Sequence, residues 1–103
     1  MKQNKIEEAQ WSIYIVKTRL DTLYTGISTD VERRFKEHAS NPKKGARYLK
    51  GKGPLVLVWQ QEIGSQSDAL VLEYKVKKLT KQKKLNLIDG LINLASLRKV
   101  STC

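Results

Sequence analysis

Apolar and polar residues alternate through "WSIYIV", residues 11–16, a run rich in aromatic and β-branched side chains. That pattern predicts a strand. A second such run, "TLYTGIS" at 22–28, follows the polar "KTRLD", and the pair predicts a hairpin. Strand side chains alternate between faces with period two. In any antiparallel register whose partner numbers have an even sum, Tyr14, Tyr24 and Gly26 share one face. Trp11, Ile13, Ile15, Leu23 and Ile27 then share the other. The two tyrosines are thereby set apart from the aliphatic residues.

Beyond the hairpin the period changes. "TDVERRFKEHA" predicts a helix, with Thr29 and Glu32 at capping-box spacing and Val31, Phe35 and Ala39 as the apolar stripe. Arg34 and His38 are four apart, so they stack on one face, about 100° from that stripe. "NPKKGARYLKGKGP", residues 41–54, predicts a loop from its Gly and Pro content. "LVLVWQQEI" predicts a third strand, apolar enough at its start for a central position. "SQSDALVLEYKVKKL" predicts a helix with Ala69, Leu72, Val76 and Leu79 on its buried line. "TKQKKLNLID" predicts one more, with Gly90 either capping it or interrupting a longer helix. The expected fold is α/β (α+β): a small three-stranded antiparallel sheet flanked by helices.

Composition narrows the use of such a fold. The 103 residues are expected to form one domain, 1–103, with its core at about 11–90. Twenty Lys and Arg oppose ten Asp and Glu, for a net charge of +10. That excess points to a polyanionic partner, nucleic acid before any other. One Cys and one His exclude a disulfide framework and a Cys/His zinc cluster. Apolar runs are too short to span a membrane, and the N-terminal segment has no apolar core of a secretory signal, so a cytoplasmic location is expected.

The candidate chemistry gathers on the tyrosine face. Gly26 leaves bare backbone beside Tyr24, open to close approach by a ligand. Arg34 and His38 leave the following helix on one side. The loop adds Lys43, Lys44, Arg47, Lys50 and Lys52, with Tyr48 among them. Tyr, Arg and His beside a basic loop suit a phosphate. Each residue also has a structural reading: a cross-strand tyrosine pair, a solvated arginine, a histidine favouring a helix C-terminus, and Glu73 as the i,i+4 partner of Lys77.

The sequence of segments resembles the GIY-YIG nuclease superfamily, and within it the small stand-alone bacterial, YhbQ-like members. The resemblance rests on "SIY" at 12–14, "YTG" at 24–26, "RRFKEH" at 33–38 and "ALVLEYKVKKL" at 69–79, and it runs from about 11 to 88. The "GARY…GKGP" loop is similar as well. Ser12 stands where the family motif has its first glycine. The resemblance implies catalytic roles for Tyr14, Tyr24, Arg34 and His38. It implies that Glu73 binds one divalent ion, Mg²⁺ or Mn²⁺, and that Gly26 and the loop cations bind substrate. The implied activity is metal-dependent endonuclease cleavage of DNA, with branched or damaged DNA in repair or recombination as one expectation. The alternative is a nucleic-acid binding module that keeps the fold but cleaves little. RNA stays open as a substrate, as does the choice of general base among Tyr14, Tyr24 and His38. Target choice is expected to come from the basic loop or from a protein partner.

Overall fold

The computed structural model describes residues 9–40 and 45–100. Two strands, β1 (Trp11–Lys17) and β2 (Leu23–Ser28), form the expected hairpin. Thr18 ties the turn: its amide donates to the Thr22 carbonyl at 2.9 Å, and its hydroxyl lies 2.7 Å from that of Thr22. The chain then runs through α1 (Val31–Ser40), a 3₁₀ turn (Arg47–Leu49), β3 (Val56–Gly64), α2 (Gln66–Lys78), α3 (Lys81–Ile88) and α4 (Leu94–Val100). The sheet is antiparallel with order β2-β1-β3.

The register pairs Tyr14 with Gly26 and Val16 with Tyr24, so every partner sum is even and the tyrosine face is real. Both faces of β1 are covered. Ile13 and Ile15 pack with Leu72 and Val76 of α2, Leu87 of α3 and Leu94. Tyr14 and Val16 pack with Val31 of α1 and Leu49 of the 3₁₀ turn. Burial of four successive residues, Ile13 to Val16, marks β1 as the middle strand.

Four local expectations are corrected. β3 lies at an edge, not the centre: Val56 is exposed, as are Gln60, Gln61 and Glu62, and a bulge between Ile15 and Val16 breaks the β3 pairing. The cap of α1 is not Thr29. The Asp30 carboxylate accepts from the Arg33 amide at 3.1 Å, while the Ser28 hydroxyl accepts from the Asp30 amide; a side chain one residue nearer the first turn reaches the free amides first. The inward face of α1 is also rotated. Ala39 is exposed and His38 buried, so the stripe runs Val31, Phe35, His38. Finally, the segment after 44 is more than a loop, because Leu49 is buried beneath it.

The later helices follow their caps. Ser65 accepts from the Asp68 amide and Thr80 from the Lys83 amide. Gly90, at φ +83°, ends α3 in a backbone conformation that glycine adopts freely, so the chain turns and does not continue as one helix. None of the described helices is long and apolar enough to cross a membrane.

Candidate active site

Tyr14 stands at the centre of the middle strand and is 1% exposed. Its hydroxyl lies 2.8 Å from His38 Nε2. The other ring nitrogen, His38 Nδ1, accepts the main-chain N–H of Ala46 at 3.0 Å. An N–H can only donate, so Nδ1 carries no proton in the neutral ring. The ring proton is therefore on Nε2, and Nε2–H donates to the Tyr14 oxygen. Burial pushes the His38 pKa down and Arg34 adds to that effect, against a smaller opposing pull from Glu37, so the imidazole is held neutral.

Burial also pushes the Tyr14 pKa upward, and Tyr24 reinforces it. The Arg34 guanidinium works the other way, by charge and by hydrogen bonding, but it does not outweigh burial, and the Tyr14 pKa stays above its ordinary value. Arg34 is held in turn by Glu37: its Nη1 donates to Oε1 at 2.8 Å, while Glu37 Oε2 takes Arg33 at 3.3 Å. Burial alone would lower the Arg34 pKa, but Glu37 and Tyr14 outweigh it and the group stays a cation.

Gly26 has a different task from the one expected. A Cβ there would lie 2.5 Å from the Tyr14 hydroxyl and 2.7 Å from Cζ. The space above Gly26 is filled by the phenol of Tyr14, so the glycine seats a side chain of the protein and does not open backbone to a ligand.

Tyr24, half-buried on the same face, joins the centre to the loop. Its ring meets the His38 imidazole edge-on, with centroids 5.6 Å apart, and stacks with Tyr48 at 5.9 Å and an interplanar angle of 18°. Lys52 Nζ sits 3.8 Å above the Tyr48 ring and donates to the Tyr48 carbonyl. Arg19 pins the same segment by donating to the Gly53 and Gly51 carbonyls. Beside this column an open groove is lined by Leu23, Tyr24, Thr25, Tyr48, Lys77 and Lys84.

The structure thus joins Tyr14, Tyr24, Arg34 and His38. Glu73, on α2, is only 18% exposed at its side chain and pairs with Lys77 at 3.3 Å. Its charge opposes ionisation of Tyr14, as the smallest of the influences on that phenol. The i,i+4 pairing with Lys77 that the spacing allows is present. Among the described residues no three His, Cys, Asp or Glu side chains converge to hold a metal. A lone carboxylate is a hard oxygen donor of the kind Mg²⁺ and Mn²⁺ take, and water and a substrate phosphate would have to complete such an ion's shell. Arg47 and Lys50 are exposed and Lys52 is half-buried against Tyr48. Lys43 and Lys44 lie outside the described residues.

Residues 10–86 match the model of the GIY-YIG catalytic domain. The chain belongs to the GIY-YIG family. That family is one of nucleases, hydrolases of phosphodiester bonds. The chain is 50% identical over 78 residues to the UPF0213 protein YhbQ of Escherichia coli, covering 76% of each. It is 56% identical over 80 residues to a UPF0213 protein of Aeromonas salmonicida, covering 78% of this chain and 57% of that one. The solution NMR structure of a UPF0213 protein from Bacillus halodurans is similar at 41% identity, with a TM-score of 0.50 over 78% of this chain and 83% of that one.

Within this GIY-YIG domain, three contributors lie beyond the sequence expectations, and a fourth, Lys77, is expected there only as an ion-pair partner. Glu37 had a visible signal, at i+3 from Arg34 and i+4 from Arg33. Lys77 was visible as the i+4 partner of Glu73. Lys84 gives no sign, because only folding brings α3 beside β2. The Ala46 amide gives none either, since a main-chain donor leaves no mark on residue identity.

Proposed function

We propose that this GIY-YIG protein is a metal-dependent endonuclease that hydrolyses phosphodiester bonds in DNA. The observation that carries the reading is the convergence on one buried phenol, Tyr14, of an imidazole N–H and a guanidinium. Two donors on one oxygen oppose the burial that holds the Tyr14 pKa above its ordinary value, and a bound cation would add to them. A tyrosine packed only for structure needs one partner for its hydroxyl but not a second, cationic donor.

In this reading Tyr14 is the base and not His38, whose Nε2 is already protonated. The Tyr14 phenolate takes a proton from water. The water oxygen bonds to phosphorus, the P–O bond to the leaving oxygen breaks, and that oxygen gains a proton from solvent. Arg34 pairs with the phosphate and offsets the charge that builds on it. The Tyr24 hydroxyl donates to a phosphate oxygen. Glu73 would hold one Mg²⁺ or Mn²⁺, which as a Lewis acid would polarise the phosphate and relieve charge at the leaving oxygen. Arg47, Lys50, Lys52, Lys77 and Lys84 supply cations for flanking phosphates. Repair or recombination substrates, branched or damaged, are the working targets.

The test is incubation of labelled linear and branched DNA with the protein in Mg²⁺, Mn²⁺ or EDTA. Cleavage is expected with either ion and none with EDTA. Glu73→Gln is expected to abolish cleavage while leaving DNA affinity within about twofold. Full activity in EDTA, or in Glu73→Gln, would overturn the metal assignment. Binding without cleavage by the wild-type protein in every condition would favour a binding module with the nuclease fold.

A further inference from the structure

The His38 ring is held by side chains from three elements and by one main-chain group. Tyr14 reaches it from β1 and Tyr24 from β2, while Arg34 and Glu37 act on it from its own helix. The main-chain group is the Ala46 N–H, from the segment that also carries Tyr48, Leu49 and Lys52. We propose that the Ala46 main-chain amide is a positioning group of the active site: by donating to His38 Nδ1 it fixes the imidazole as an Nε2–H donor to Tyr14.

Without that amide, the neutral ring is free to carry its proton on either nitrogen. With the proton on Nδ1, Nε2 becomes an acceptor and takes the Tyr14 O–H as its donor. The hydrogen bond at 2.8 Å would keep its length but reverse its direction. One direction supports a phenolate at Tyr14; the other keeps the hydroxyl proton in place as a donor. The choice is made by a backbone group eight residues from His38, and it is coupled to the substrate-facing segment. Leu49 buries that segment against the Tyr14 face. Tyr48 stacks it on Tyr24, and Arg19 ties its carbonyls. Docking of the segment and the direction of the catalytic hydrogen bond are therefore one event. The consequence for catalysis rests on the nuclease reading above; the tautomer does not.

Proline cannot remove the donor cleanly, because its Cδ would stand where the N–H points, onto His38 Nδ1 only 3.0 Å from the nitrogen. A main-chain ester at Ala46, made by incorporating lactic acid in place of alanine, replaces the N–H with an oxygen and adds no atom toward the ring. The Ala46 carbonyl, which accepts from the Leu49 amide at 3.0 Å, is untouched by the change. Ala46→Gly is the control that keeps the N–H.

The experiment is ¹⁵N NMR of the His38 ring in the metal-free protein without substrate, on wild type, Ala46→Gly and the Ala46 ester protein. Wild type and Ala46→Gly are expected to show a protonated Nε2 and an unprotonated Nδ1 at neutral pH. In the ester protein the Nδ1–H tautomer is expected to appear, and the His38 titration midpoint to rise, because protonating Nδ1 no longer breaks a bond. In cleavage assays the ester protein is expected to lose at least about tenfold in kcat with KM little changed. A protonated Nδ1 in the wild type would overturn the proposal, as would an unchanged tautomer in the folded ester protein. The NMR result decides the positioning whether or not the protein cleaves DNA, so it fails separately from the nuclease reading.

Discussion

The two faces of the sheet are both closed, but by different physics. On one, Ile13 and Ile15 meet Leu72, Val76, Leu87 and Leu94, and apolar area removed from water does the work. On the other, the largest buried side chain is Tyr14, and its neighbours include an imidazole, a guanidinium and a main-chain amide. Apolar contacts are non-directional, so the first face tolerates substitutions that conserve volume. Hydrogen bonds have direction and partners, so the second tolerates few. Placing both on the single strand β1 lets alternate residues hold the fold and the site: Ile13 and Ile15 the one, Tyr14 the other.

The sharpest way to separate the faces is to damage each in turn. Leu72→Ala on the aliphatic face is expected to cost about 2–5 kcal/mol of stability, in the range for a fully buried leucine. The activity of its folded fraction should persist. Arg34→Ala on the polar face is expected to lose about a hundred- to a thousandfold in turnover, by analogy with loss of one oxyanion donor. Its melting temperature should change far less, because the side chain is 31% exposed and off the apolar stripe. Arg33→Ala, one position round the helix, is the control and should stay within about threefold of wild type. Denaturant titration and cleavage assays on the same three preparations measure both axes. A dead Arg33→Ala beside an active Arg34→Ala would refute the assignment of the site.

Gly26→Ala tests where the faces meet the strand. A methyl there would overlap the Tyr14 hydroxyl and ring. Tyr14 is almost wholly enclosed, so it cannot simply swing away. The expected result is a stability loss of about 1–3 kcal/mol, the range for overpacking, with a loss of activity larger than that instability explains. Recovery of activity in Gly26→Ala combined with Tyr14→Phe would be inconsistent with Tyr14 as the base. Wild-type activity in Gly26→Ala alone would return Gly26 to a passive position.

Much of this contrast is legible in the amino-acid sequence. Period-two alternation with even partner sums separates Tyr14 and Tyr24 from Ile13 and Ile15, because a strand offers only two faces. The helix arginine and histidine are placed together by their spacing of four. What spacing does not carry is the rotation of α1. Val31, Phe35 and Ala39 are the greasier set, yet His38 turns inward because Tyr14 and the Ala46 amide give its polar atoms partners. The role of Gly26 is hidden for a related reason. Sequence shows a missing side chain but not which neighbour fills the space. β3 looks central on its first four residues, and its edge position is decided by the burial of β1 on both sides.

The smallest expected effect is the pH dependence that a buried neutral histidine gives to the polar face alone. His38 has its pKa held below the ordinary 6.5, chiefly by burial and then by Arg34. The unfolded chain, lacking both, takes up the proton first as pH falls. Between the unfolded and the lower folded pKa the unfolded state therefore binds more protons, and stability rises with pH through that window. The His38 contribution is fully present above about 6.5 and is lost as pH falls through the folded value. Thermal melts from pH 7.5 down to pH 5 should show a declining melting temperature in the wild type. Carboxylates elsewhere add to that decline, so the difference between variants is the quantity to read. His38→Gln keeps a donor and an acceptor but cannot titrate, and its decline over the same range should be shallower. Leu72→Ala, which weakens the other face, should lower the whole curve without changing its slope there. Parallel curves for wild type and His38→Gln would mean that the imidazole takes up its proton as readily folded as unfolded, and the neutral donor to Tyr14 would lose its support.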